Sequence, residues 1–184
     1  TWPWFEPQLT YCNAVLPHAL LVGSATLGDT AGVTASLRML KWLISQQRSD
    51  AGDFMPIGCN GFYPADGPKA RFDQQPVEAQ GLIEASLAAW RITRNGRWRE
   101  DAHWVFSWFM GQNDLGLSLY DPRTGACHDG LQPDRINNNQ GAESTLAFLT
   151  GLLQMRQAQQ LLLSDVVVPA LDVRTVNANS DASM

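Results

Sequence analysis

Residues 76–112 read PVEAQGLIEASLAAWRITRNGRWREDAHWVFSWFMGQ, and this stretch decides the fold class. Pro76 suits the first turn of a helix, where a missing amide proton costs nothing, and Asn95–Gly96 is a turn signal. The stretch therefore predicts two helices, from Pro76 to about Thr93 and from Arg97 to Gln112, joined by a tight turn. Apolar residues recur at helical spacing in both: Leu82, Ile83, Ala85, Leu87 and Trp90 in the first, and Trp98, Ala102, Val105, Phe106 and Phe109 in the second.

The preceding sequence predicts a matching helical pair, and a third unit follows. Trp42 and Trp108 stand 66 positions apart, and the segment ending at Glu143 matches the one ending at Glu78 at a spacing of 65. The expected helices are Asn13–Leu27, with apolar positions Leu16, Ala19 and Leu20, then Thr30–Gln47, with Val33, Leu37, Leu40 and Ile44, and a fifth from Gln140 to about Gln159.

Stacking of these units predicts the architecture. A lone helical hairpin cannot bury its apolar face, whereas stacked neighbours can. Two arrangements are possible, an open superhelix or a closed ring, and the long connections at residues 48–75 and 113–139 favour the ring because all of them lie at one end of the hairpins. We therefore expect an all-α fold, an (α/α) toroid of antiparallel helical hairpins over residues 1–160, followed by an irregular tail over 161–184.

Composition excludes several classes of function. The chain has 184 residues, a net charge of −5 and scattered cations, so no basic stripe for nucleic acid is present. No apolar run approaches the roughly 20 residues of a membrane span. The chain has three cysteines, Cys12, Cys59 and Cys127, and none of them has CxxC spacing. An odd number of widely separated cysteines predicts reduced thiols in a cytoplasmic protein rather than disulfides or a zinc site. No phosphate-cradling glycine loop occurs, and we expect no metal or cofactor.

The long loops and the helix starts beside them concentrate acids, amides and aromatic residues. Sugar recognition uses this mixture, because carboxylates and amides bind hydroxyl groups and aromatic rings cover the C–H face of a pyranose. Paired carboxylates would also supply an acid and a base. The candidate catalytic residues are Asp73, Glu78 and Glu143, with Asp73–Glu143 or Glu6–Glu78 as possible pairs. The candidate substrate-binding residues are Glu6, Phe72, Gln74, Gln75, His128, Asp129, Asn139 and Gln140.

Structural roles compete with each of these assignments. Glu78 and Glu143 lie in first turns, where a carboxylate interacts favourably with the helix dipole. Asp73 could cap the third helix, and His128 could brace a glycine-rich loop. The tryptophans on the helical stripes (Trp42, Trp90, Trp104 and Trp108) are expected in the core.

Several motifs resemble one bacterial domain. These are Tyr11-Cys12-Asn13-Ala14, the run Arg71 to Ala79 (RFDQQPVEA) and the run Asn139 to Ala147 (NQGAESTLA). They look like the helical toroid at the C-terminal end of bacterial glycosyltransferase-type proteins, within the six-hairpin glycosidase-like superfamily, and are more distantly similar to sugar 2-epimerases. The match covers about residues 2–155. It departs at Cys12, where the motif would carry Asp.

The resemblance implies a carbohydrate or glycan substrate and, in the full-length protein, an N-terminal nucleotide-sugar-dependent glycosyltransferase domain. About two and a half hairpins are visible where a closed toroid has six, so we expect an incomplete ring cut from a longer protein. Three functions stay open: a carbohydrate-active domain serving a glycosyltransferase, a non-catalytic glycan-binding or scaffolding module, and a glycoside hydrolase or sugar epimerase that uses paired carboxylates.

Overall fold

The computed structural model describes residues 2–163 and consists mainly of helices, which confirms the all-α class. Four two-residue strands accompany them. The elements are β1 (Gln8–Leu9), α1 (Val15–Leu27), α2 (Thr30–Gln46), β2 (Tyr63–Pro64), α3 (Pro76–Thr93), α4 (Arg97–Ser107), β3 (Gly130–Leu131), β4 (Ile136–Asn137) and α5 (Ala142–Leu163).

Tight turns join the helices of each hairpin, as predicted. Gly28 ends α1 in a left-handed conformation (φ 73°), and the Asp29 side chain accepts a hydrogen bond from the amide of Gly32 at 3.0 Å to cap α2. Between α3 and α4, the Asn95 side chain accepts from the amide of Arg97 at 3.0 Å. These short connections return each second helix along the first.

Helix α3 lies at the centre of the described structure. It packs against α1 on one side, α5 on another and its hairpin partner α4, and most of its residues are buried. An aromatic cluster fills the space where α4, α5 and the following loop meet, with Phe148 against Phe106, Phe109 and Tyr120 at centroid distances of 4.7–5.9 Å. The packing puts α1, α3 and α5 side by side, with α2 and α4 as their hairpin partners.

The long connections meet at one end of the helices. Strand β1 pairs antiparallel with β2, which joins the N-terminal segment to the first long loop. Gln74 and Leu131 exchange two backbone hydrogen bonds of 2.9 and 3.0 Å, which joins the first long loop to the second. Strands β3 and β4 form a hairpin inside the second loop. All three segments therefore contribute to one surface, beside the first turns of α3 and α5.

The buried face of α1 differs from the prediction. The helix begins at Val15 rather than Asn13, and Pro17, Leu21 and Ser24 form its buried side. Leu16, expected on the buried stripe, is 42% exposed, and Ala19 is exposed as well. Because α1 is apolar almost all round, periodicity could not identify the side that α2 and α3 cover.

Other boundaries shift by a few residues. Helix α4 ends at Ser107 and a 3₁₀ turn continues it to Met110, where Gly111 adopts a left-handed φ of 103°. Helix α5 begins at Ala142 rather than Gln140 and reaches Leu163, so the predicted domain boundary after residue 160 falls inside a helix. The rest of the predicted tail, residues 164–184, lies outside the described residues.

Two tryptophans are less buried than predicted. Trp90 and Trp108 are buried, but Trp42 and Trp104 are partly exposed and pack against the edge of the core. Within residues 2–163, no helix combines the length and the apolar character needed to cross a bilayer.

Candidate functional site

The segment Tyr11–Asn13 joins the starts of two helices. It enters α1, and its polar groups bind carboxylates in the first turns of α3 and α5. The backbone amide of Cys12 donates to Glu78 Oε1. The Asn13 amide and its side-chain Nδ2 donate to Glu78 Oε2 at 3.3 and 3.1 Å. Glu78 therefore holds the entry to α1 with three hydrogen bonds.

Glu78 is an acid in an enclosed position. Glu78 is only 3% exposed, and this burial raises the pKa of its carboxyl group to about 7. The hydrogen bonds from Asn13 and Cys12 lower the pKa, but they offset only part of the effect of burial. A carboxyl group with a pKa near 7 is protonated in a large fraction of molecules at neutral pH. It can therefore donate or accept a proton in that range.

Glu143 reaches the same segment from α5. The Tyr11 hydroxyl donates to Glu143 Oε1 at 2.6 Å, and both residues are exposed. Partial burial, together with the negative charges of Glu143 and Glu78, raises the pKa of Tyr11 well above its usual range. The structure thus brings together two of the three predicted catalytic acids, Glu78 and Glu143, around Tyr11–Asn13.

Cys12 occupies the position where the resembled motif has Asp. Burial, with the charges of Glu78, Glu84 and Glu143, raises the pKa of its thiol to about 11, so the sulfur is neutral at pH 7. Its φ of 52° is left-handed, a conformation in which Asp and Asn are enriched. A carboxylate at this position would add a further negative charge beside Glu78, Glu84 and Glu143, and the neutral thiol does not.

Polar residues also line the otherwise buried helix α3. Gln80, Glu84 and Arg91 fall on one stripe, with Gln80 Nε2 donating to Glu84 Oε1 at 3.1 Å. Arg91 donates to Gln154 of α5 at 3.1 Å. On the α1 side, burial lowers the pKa of His18, the charge of Glu84 opposes this effect, and Arg91 adds to it. At helical spacing this polar stripe lies on a different face of α3 from Glu78.

The sequence prediction did not include the polar stripe or the roles of Tyr11 and Asn13. The signal for the stripe was available: three polar side chains at spacings of four and seven on a helix that is otherwise mostly apolar. For Tyr11 and Asn13 the only signal was their presence in the resembled motif.

Asp73 lies in the first long loop, and within the described residues no hydrogen bond or ion pair joins it to Glu78 or Glu143. Its backbone carbonyl accepts from the Cys59 amide at 2.9 Å, and within residues 2–163 its carboxylate has no hydrogen-bond or ion-pair partner. It does not cap α3, because Gln75 is the capping residue and no side chain bonds there. Gln75 instead donates to Cys59 Sγ at 3.6 Å.

Gln74 is a correction to the predicted binding set. It is 0% exposed and all of its side-chain groups are used internally: Oε1 accepts from Trp108 Nε1 at 2.9 Å, and Nε2 donates to Asp114 at 2.5 Å. A side chain without accessible surface cannot contact a sugar, so Gln74 has a structural role. Its neighbour Phe72 is partly exposed and carries the Arg71 guanidinium 5.5 Å from its ring centroid.

Three further predicted residues organise the entry to α5. Asp129 accepts from the Gly141 amide at 2.8 Å and from the Asn139 side chain. Burial alone would raise the pKa of Asp129, but these hydrogen bonds outweigh it and lower the pKa. Gln140 donates to Asp121 at 3.2 Å. These contacts fix the loop before α5, which positions Glu143.

The remaining predicted residues, His128 and Glu6, make fewer hydrogen bonds. His128 is partly exposed, and its Nδ1 is buried with no hydrogen-bond partner among the described residues. Glu6 is exposed, and its backbone carbonyl accepts from Trp2 Nε1 at 2.7 Å. Across residues 2–163, no three His, Cys, Asp or Glu side chains are arranged to hold a metal ion.

In comparisons with known proteins, the chain matches no protein-family model and no curated protein.

Proposed function

We propose that this chain is part of an (α/α) toroid of antiparallel hairpins that binds carbohydrate at the surface formed by Tyr11–Asn13 and Glu143, with Glu78 buried directly behind Tyr11–Asn13. The observation that carries the proposal is the convergence of two acids on one segment. Glu78 and Glu143 come from first turns 65 residues apart, yet both bind that segment. An exposed aromatic ring and an exposed carboxylate, Tyr11 and Glu143, stand side by side there, as sugar recognition requires.

In the full-length protein, this domain follows an N-terminal, nucleotide-sugar-dependent glycosyltransferase domain in the bacterial cytoplasm. The support is the resemblance of the three motifs quoted above, each of which contributes to the site: Tyr11-Cys12-Asn13-Ala14, the run Arg71 to Ala79 that contains Glu78, and the run Asn139 to Ala147 that contains Glu143. The reading frame upstream of Thr1 tests this part. A frame that encodes an unrelated domain would contradict it.

A catalytic role as a glycosidase or epimerase is the second candidate, and the pKa of Glu78 favours it. A general acid that works near neutral pH needs a carboxyl group with a raised pKa, and Glu78 has one at about 7. Glu143 would then act as the base, with Asp73 as the alternative. A non-catalytic glycan-binding module needs only the surface groups Tyr11 and Glu143.

Binding of the chain to an array of neutral oligosaccharides, followed by calorimetric titration of the best ligand, tests carbohydrate recognition. We expect Glu143→Gln to weaken binding at least tenfold, because a charge-assisted hydrogen bond is lost. Glu100→Gln is the matched control, since Glu100 also lies exposed in a first turn, but on α4. Equal effects of the two substitutions, or no bound glycan at all, would refute the proposal.

Turnover separates the catalytic candidate from simple binding. If Glu78 is the acid, Glu78→Gln removes hydrolysis or epimerisation of the bound sugar and Cys12→Ser retains it. A glycan that binds the chain and is never converted identifies a binding module.

A further inference from the structure

A cavity of about 320 Å³ lies between α2 and α4, away from Tyr11–Asn13. Lys41 and Ile44 line it from α2, Arg48 from the residues just after that helix, and Trp98 and Asp101 from α4. The volume is at the small end of ligand-binding sites, which span roughly 300–1,000 Å³.

The cavity concentrates positive charge in an acidic protein. Its lining carries three cations, Lys41, Arg48 and Arg97, against one acid, Asp101, whereas the chain as a whole has a net charge of −5. Arg97 Nε lies 3.7 Å from Asp101 Oδ1. Within residues 2–163, no carboxylate lies within ion-pair distance of Lys41 or Arg48. Asp101 also interacts electrostatically with Arg48, so the single acid is shared, and three cations against one acid leave a net charge of +2 in the lining.

Two of the cations are held in place by contacts that leave their charge available. Arg48 donates to the Gly52 carbonyl at 3.0 Å, and its guanidinium lies 4.1 Å from the ring centroid of Trp104. Lys41 Nζ lies 5.8 Å from the ring centroid of Trp98. Neither a carbonyl nor an aromatic ring neutralises a cation, so the site keeps its net charge while its side chains are positioned.

We propose that this cavity binds a small phosphomonoester, about the size of a monosaccharide phosphate. A phosphomonoester carries about −1.5 to −2 charges at pH 7, which matches the net positive charge of the lining better than a carboxylate does. Guanidinium groups bind phosphate oxygens through paired hydrogen bonds. Ile44 and Trp98 supply an apolar wall for the carbon skeleton of the ligand. The proposal is independent of the function of Glu78 and Glu143.

Calorimetric titration of the whole chain with glucose 6-phosphate, glucose and glucuronate tests this site. We expect saturable one-to-one binding of glucose 6-phosphate, with glucose and glucuronate each at least tenfold weaker. Lys41→Gln should weaken binding of glucose 6-phosphate about tenfold, the usual cost of one charged hydrogen bond. Lys41 is exposed and donates no hydrogen bond to any residue from 2 to 163, so this variant should fold, as its melting temperature will show.

Arg38→Gln is the matched control, because it removes the same charge from the exposed side of the same helix, outside the cavity lining. We expect the Kd of this variant to stay within about twofold of the wild type. An equal loss of affinity in both variants would show non-specific electrostatic attraction rather than a binding site. Binding of glucose or glucuronate as tight as that of glucose 6-phosphate, or no saturable binding, would also overturn the proposal.

Discussion

Replacement of Glu78 by Gln should change how the stability of the protein depends on pH. In the unfolded chain the carboxyl group has a pKa near 4.5, and in the folded chain burial raises it to about 7. Below pH 4.5 the group is protonated in both states, and above pH 7 it is ionised in both. Between these values the folded chain binds the proton more tightly, so the free energy of unfolding falls as pH rises.

The size of this effect follows from the two pKa values. A difference between 4.5 and about 7 corresponds to about 3 kcal/mol. Gln cannot ionise, so the stability of Glu78→Gln should lack this contribution. The wild type should therefore lose about 3 kcal/mol relative to the variant from pH 4 to pH 8, whatever constant cost the amide substitution itself carries.

Urea unfolding followed by tryptophan fluorescence at intervals from pH 4 to pH 8 measures both proteins under the same conditions. Glu100→Gln, at an exposed position, controls for the replacement of a carboxylate by an amide. Parallel curves for wild type and Glu78→Gln would refute the reasoning. A wild type that gains stability relative to the variant as pH rises would show that the amides of Cys12 and Asn13 outweigh burial.

Three further substitutions, and a fourth as a control, are tested by thermal and urea unfolding. Tyr11→Phe removes the 2.6 Å hydrogen bond to Glu143 and should cost about 1 kcal/mol, reduced by solvent exposure; an unchanged melting temperature would mean that the bond contributes nothing. Gln74→Leu leaves buried donors and acceptors unsatisfied and should cost roughly 3 kcal/mol, so a loss under 1 kcal/mol would contradict its structural role. Gly58→Ala would place a Cβ 2.1 Å from the backbone oxygen of Phe72 in the same loop and should destabilise strongly. The control Gly96→Ala, with open space and a φ of −58°, should be neutral or stabilise by about 0.5 kcal/mol.

The bounds of α3 could be predicted from sequence because local signals mark both ends. Pro76 opens the helix and Asn95–Gly96 follow its end, so Pro76–Thr93 agrees with the prediction at both residues. The orientation of α1 could not be predicted in the same way. Its side chains are apolar on several faces, and the choice of the buried face depends on where α2 and α3 lie.

The residues of the candidate site also differ in how well local sequence signals predict them. Glu78 and Glu143 were identifiable because each opens a repeated unit at a helix start, and the structure brings both to one segment. Gln74 was assigned to the binding set from residue type alone, but its burial is decided by Trp108 and Asp114, which are 34 and 40 residues away. Contacts over such distances leave no local pattern in the sequence.

The paired backbone hydrogen bonds between Gln74 and Leu131 have a mechanical consequence. They couple two loops that are separated by an entire hairpin, so neither loop can shift far without carrying the other. Gln74 also leads directly into α3, and the loop of Leu131 leads into α5, so any displacement at this crossing moves both helix starts together. The positions of Glu78 and Glu143, one turn into those helices, therefore depend on the same pair of backbone hydrogen bonds.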